Sequence, residues 1–208
     1  MKKISQSGRS MMEMLGVLAI VGVLSVGGFA MVGKMQANYE ANKVMDEIAD
    51  LANRIKPVFR DYENKPEYYN NMNKYLRKAK AYPDSFNENE SGTIDNSDFL
   101  GSTGIGYEVR YVCKGSVATG QKCNGTEYYM IFLKNMTEDL CNQVVTSNWG
   151  SPSTNGFIGI GAHSEAALSC TDCSSCGRAN SKDCPVPMGI GDAVEFCSKQ
   201  QNLNLLFK

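Results

Sequence analysis

From Met14 to Gly33 the chain runs for twenty residues without a charged side chain. A helix of about 20 apolar residues is long enough to cross a bilayer, so this run points to a membrane span. Ahead of it stand a short basic leader with Lys2 and Lys3, ending in Gly8, and one carboxylate, Glu13, five residues past the glycine. An acid at the edge of a span is unfavourable unless something uses it. Lys2, Lys3 and Arg9 precede the run and Lys34 follows it. The positive-inside bias then places the N-terminus in the cytoplasm and residues 34–208 outside. The cysteines give the same topology independently. All eight lie between Cys113 and Cys197, in the part expected outside, and oxidising compartments are where disulfides persist.

Two ordinary readings compete. A secretory signal peptide also starts basic and turns apolar, and Ser25-Val26-Gly27-Gly28 could serve as its small-residue cleavage site. Its apolar core, however, is usually about 7–15 residues. A plain signal anchor explains the span but not Gly8 and Glu13 together. No cysteine follows the run closely, as a lipoprotein would require.

The order of basic leader, glycine, carboxylate and membrane-length run resembles the N-terminus of type IV pilins and pseudopilins. The resemblance implies a prepilin peptidase that cuts between Gly8 and Arg9 and then N-methylates Arg9. It implies that Glu13 neutralises the amino group of Arg9 in a neighbouring subunit, which sets axial register in a filament. It also implies a role for Gly22 in local loss of helix, beside a simple packing role.

The helix is expected to continue past the membrane. Val44, Ile48, Leu51 and Ile55 recur at steps of three and four, the period of one helix face. Glu40, Lys43, Asp46, Glu47, Asp50 and Arg54 are placed mostly off that stripe, and Pro57 is expected to end or kink the helix. The domain plan is therefore a leader over 1–8, a transmembrane and assembly helix over 9–33, an amphipathic continuation over 34–56, and an extracytoplasmic domain over 57–208.

Within that domain, Tyr68 to Lys80 is expected to form a short helix, and Asn87 to Thr103 a loop. Residues 107–113 alternate, residues 127–134 are β-branched and aromatic, and both read as strands. Thr137 followed by Glu138 and Asp139 is a helix start, a hydroxyl cap with acids in the first turn. Residues 157–162 suggest a strand, 163–190 an irregular loop rich in Cys, Gly and Pro, 192–198 a last helix, and 203–207 a last strand. The sum is an α+β protein: a long N-terminal helix, transmembrane then amphipathic, packed on an antiparallel sheet with a disulfide-rich C-terminal region.

The C-terminal order of strand, helix with Cys141, Trp149-Gly150, short strand, loop, Cys197 and final strand looks like the globular domain of type IVb pilins. That resemblance implies a Cys141–Cys197 bridge. Cys113 and Cys123 bracket a nine-residue loop between neighbouring strands, so a local bridge is plausible there. Cys170, Cys173, Cys176 and Cys184 remain, with their pairing open. Their spacing, two gaps of two and a Cys-Pro, also resembles an iron–sulfur or zinc ligand run, a reading that export argues against. A redox-active Cys-x-x-Cys lacks the βαβ context it needs.

Charge and motifs exclude other classes. Net charge is −1; removing residues 1–8 takes Lys2 and Lys3, so 21 basic side chains become 19 against 22 acidic, and the balance is −3. That is no footprint for nucleic acid, and Arg77, Lys78 and Lys80 read as a solvated helix face. His163 stands alone in a loop, and no nucleophile elbow, P-loop or zinc-protease motif occurs. No metal, cofactor or catalytic activity is expected. The expected role is that of a structural filament subunit, in the inner membrane first and then in a surface or periplasmic filament. Its expected partners are prepilin peptidase, copies of itself or other pilins, an inner-membrane platform protein and an assembly ATPase. The alternatives are a minor pilin or secretion pseudopilin, and a membrane-anchored extracellular binding module.

Overall fold

A computed structural model describes residues 9–60, 67, 69–87, 97–113, 121–122, 126–151, 153–161, 176–179 and 184–208, with the side chains of 9, 10, 24, 26–30, 60 and 176 outside the description. Two compact units divide the chain, Met1–Tyr39 and Glu40–Lys208. Helix α1 (Arg9–Arg60) contributes residues to both.

In the second unit, α1 packs on a seven-stranded sheet. The strands are β1 (Phe99–Leu100), β2 (Gly106–Cys113), β3 (Glu127–Lys134), β4 (Phe157–Gly161), β5 (Cys176–Ala179), β6 (Pro185–Val186) and β7 (Leu203–Phe207). Their order is β1-β2-β3-β7-β4-β5-β6. Neighbours are antiparallel except β5 and β6. The last strand thus enters the middle of the sheet, between β3 and β4. Three further helices lie among the described residues of the unit: α2 (Asn73–Ala79), α3 (Glu138–Thr146) and α4 (Ile190–Cys197).

Strand alternation divides side chains between the two sheet faces. Tyr107, Val109 and Tyr111 of β2, Tyr129, Ile131 and Leu133 of β3, and Leu203, Leu205 and Phe207 of β7 share one buried cluster with the α1 stripe. Val44, Ile48, Leu51 and Ile55 are all fully buried there, each contributing on the order of 1.5–3 kcal/mol. Helices α3 and α4 join the same core through Leu140, Val144, Val145, Ala193 and Phe196. Thr137 caps α3, its Oγ1 accepting from the backbone N–H of Leu140 at 3.3 Å. A second, smaller cluster holds Val112, Met130 and Leu206 of the opposite sheet face, with Cys113 at the end of β2.

Several expectations are corrected. Helix α1 runs through Pro57 to Arg60. Proline leaves the carbonyl of the residue four back without its helical donor; that residue, Asn53, is exposed, where solvent is within reach. Helix α2 starts at Asn73, because Tyr69 has a left-handed φ of 65° and residues 69–72 run along the edge of β2. There Tyr69 N–H donates to the Tyr111 carbonyl and Met72 N–H to the Val109 carbonyl, both at 2.7 Å. Phe99–Leu100 is a strand inside the expected loop, paired with Tyr107 and Gly106. The Cys- and Pro-rich stretch contains β5 and β6. Strand β2 is covered on both faces, with only Arg110 half-exposed.

Candidate functional site

The N-terminal unit is a helix whose large apolar side chains face outward. Met12 is 80% exposed, Val23 75% and Met35 68%; Leu15, Val17, Leu18, Ile20 and Val21 are exposed with them. Exposed apolar surface on this scale marks a surface that lipid or other protein covers. Ser25 lies inside the run, and its hydroxyl donates to the Val21 carbonyl at 2.7 Å, which pairs the one hydroxyl of the stretch within the helix itself. Arg9 is the first residue of α1, and Glu13 lies one turn on, exposed. Gly8 lies outside the described residues. Among the described residues no helix is long and apolar enough to cross a membrane. The side chains of residues 24 and 26–30, inside the Met14–Gly33 run, are outside that description.

In the second unit the amphipathic part of α1 is tied down by Glu47, which is buried, not off the stripe as expected. Its Oε1 accepts from Ser102 N–H at 3.0 Å, Ser102 Oγ at 2.5 Å and Ser85 Oγ at 3.2 Å. Its Oε2 accepts from Tyr107 Oη at 2.8 Å. Burial, then the adjacent carboxylate, push the Tyr107 phenol far above its ordinary pKa, so it remains the donor. A Cβ at Gly101 would lie 2.5 Å from Glu47 Oε2, so glycine lets the strand end approach the carboxylate.

Arg77 is also buried rather than solvated. It donates to the carbonyls of Ser97 and Asp98 at 2.9 and 3.2 Å and lies 4.3 Å over the Phe99 ring. Lys78 and Lys80 are exposed, as expected.

A disulfide joins Cys141 of α3 to Cys197 of α4, with Cα atoms 5.7 Å apart and a sequence separation of 56. Cys113 and Cys184 are disulfide-bonded as well. Cys123, Cys170 and Cys173 lie outside the described residues, and Cys176 is described only in its backbone, as the first residue of β5. With Cys184 in a disulfide, it is not a free thiolate. His163 lies outside the described residues.

On the sheet face opposite α1, the register aligns Glu108, Phe132 and Asn204 in one row across β2, β3 and β7. Glu108 is buried yet charged. Arg110 Nε and Lys134 Nζ each reach it at 2.6 Å, and Lys134 also binds Asp98 at 2.9 Å. Burial alone would raise the Glu108 pKa; hydrogen bonds from Arg110 and Lys134 outweigh it and hold the carboxyl below its ordinary range. Likewise, burial would lower Lys134, but Glu108 and Asp98 raise it. The Arg110 guanidinium lies 4.2 Å over the Tyr69 ring, and Tyr69 meets Phe132 edge-on at 6.3 Å.

No family model matches the chain, and no curated protein matches it. Among solved structures it is similar to a type IV b pilin from Salmonella typhi, at 14% identity and a TM-score of 0.45, over 78% of this chain and 95% of that one. At that identity and score the likeness does not by itself establish a shared fold.

Sequence reasoning missed both buried acids. Glu47 stands three residues after Val44 and four before Leu51, so the helical period places it on the buried face. Glu108 and Arg110 stand in an alternating strand whose polar positions read as solvent-facing. The signal that could have exposed the second network is Arg110, two residues from Glu108 and so on its face of β2, together with Lys134 at the end of β3.

Proposed function

We propose that this chain is a structural subunit of a type IV pilus-like filament, cleaved by a prepilin peptidase after Gly8 and N-methylated at Arg9. One observation carries the reading: an uncharged run of twenty residues, Met14 to Gly33, lies behind Gly8 and Glu13 on an unbroken helix whose described apolar side chains are exposed. Such a helix is compatible with lipid before assembly and with like helices after it. Residues 10–33 cross the inner membrane with the N-terminus in the cytoplasm. The disulfide-stapled second unit lies on the outer side and becomes the filament surface.

Within the filament, Glu13 enters an apolar helix bundle, where an unpaired charge costs several kcal/mol. The amino group of Arg9 from a neighbouring copy offsets that cost in one register only. Prepilin peptidase, an inner-membrane platform protein, an assembly ATPase and further copies of the chain or other pilins are the partners this scheme requires. The test is to count surface filaments in Glu13→Ala at matched membrane levels of the subunit. Loss of filaments with an intact second unit is expected; normal filament numbers would remove Glu13 from the assembly mechanism.

A further inference from the structure

The outer sheet face holds a cavity of about 270 Å³ over the Glu108–Phe132–Asn204 row. We propose that it binds a single neutral sugar ring, as the end of a glycan or as a free glycoside. This goes beyond the filament reading and does not depend on it.

Size comes first. The volume falls just under the range of about 300–1,000 Å³ that holds drug-sized ligands, which leaves room for one ring. Charge comes next. Among the described residues, Arg110 and Lys134 are the cations at the cavity, and Glu108 and Asp98 already meet them at 2.6–2.9 Å. An anion would have to displace a carboxylate that is buried with three hydrogen-bonded partners, Asn71, Arg110 and Lys134, and a cation would face Arg110 and Lys134. The site therefore favours a ligand without net charge.

The lining then specifies its chemistry. Tyr69 and Phe132 bring aromatic carbon to it, half-buried and edge to face, with the Arg110 guanidinium 4.2 Å over the first ring and 5.3 Å over the second. The same lining holds the amides of Asn204 and of Gln200, Gln201 and Asn202 in the turn that enters β7. An amide offers both donors and acceptors, and a hydroxyl is both donor and acceptor. A pyranose matches this lining, with C–H groups for its aromatic carbon and hydroxyls for its amides. A wholly apolar ligand would leave the amides dehydrated and unpaired.

The experiment is saturation-transfer NMR on the full chain in a detergent without a sugar headgroup, such as an amine oxide. The probes are the methyl glycosides of galactose, glucose, mannose and N-acetylglucosamine, with inorganic phosphate and an acidic peptide as charged competitors. At least one glycoside should receive saturation at its ring protons. The turn variant Gln200→Ala/Gln201→Ala should weaken that binding about tenfold. Phe132→Leu, a second and chemically distinct variant, should weaken it too, while Lys199→Ala leaves it unchanged. Silence from all four glycosides, a signal that neither site variant lowers, or displacement by phosphate or the acidic peptide would each overturn the proposal.

Discussion

The Tyr107 hydroxyl donates to Oε2 of Glu47 at 2.8 Å, joining strand β2 to helix α1 across 60 residues of chain. The carboxylate also collects two hydroxyls and a backbone N–H. A charge inside the core is tolerated because its oxygens are all occupied.

Glu47→Ala should therefore destabilise the second unit by about 2–4 kcal/mol, since it strands several buried donors at once. Glu47→Gln keeps the shape and one acceptor and should cost less. Gly101→Ala pushes a methyl group toward the same carboxylate and should cost about 1–3 kcal/mol. Urea denaturation followed by Trp149 emission measures all three, because this indole, the sole tryptophan, is buried beside Phe157. A Glu47→Ala variant as stable as the parent would show that the four bonds contribute nothing net.

The Glu108 carboxyl sets a pH dependence. Its folded-state pKa is held down, so its contribution is fully present above the ordinary glutamate value of about 4.3. The contribution is lost as pH falls through the lowered folded value. Lys134 works in the opposite sense. With its pKa raised, its contribution is present below about 10.4 and lost as pH rises through the folded value. Glu108→Gln should cost about 1–3 kcal/mol at pH 7, discounted because Arg110 and Lys134 keep roughly a third of their surface in water. The gap to the parent should close below pH 4, and a gap that persists there would exclude the ionised pair as its source.

Breaking the Cys141–Cys197 bridge should matter more. A bridge spanning 56 residues stabilises by about 4 kcal/mol in the chain-entropy model. Cys141→Ser/Cys197→Ser should shift the denaturation midpoint accordingly and free α3 from α4. Peptide mapping of the parent should recover the two cysteines as one linked pair.

Local patterns made much of this fold legible. The three- and four-residue steps from Val44 to Ile55 located the buried face of α1, and the Thr137 cap located the start of α3. Residues 107–113 and 127–134 read correctly as strands because their β-branched and aromatic content is dense. Pairing between distant strands left no such trace. Nothing local in Leu203–Phe207 places it between β3 and β4. Strands β5 and β6 are short and sit among Cys, Gly and Pro, so partners rather than propensity make them strands. The cavity over Phe132 was invisible for the same reason: Tyr69, Phe132 and the Gln200–Asn202 turn come to one lining only through register. Gly8 and Glu13, in contrast, were legible only by resemblance, since no periodicity singles them out.

The filament claim rests on how the N-terminus is processed and where the processed chain goes. The most direct measurement is intact-mass analysis of the chain in filaments sheared from the cell surface. The account predicts a subunit that begins at Arg9, carries an N-methyl group and retains the Met14–Gly33 run. A mature chain beginning near Phe29 would contradict it, as would a chain with its leader intact and absent from any sheared filament.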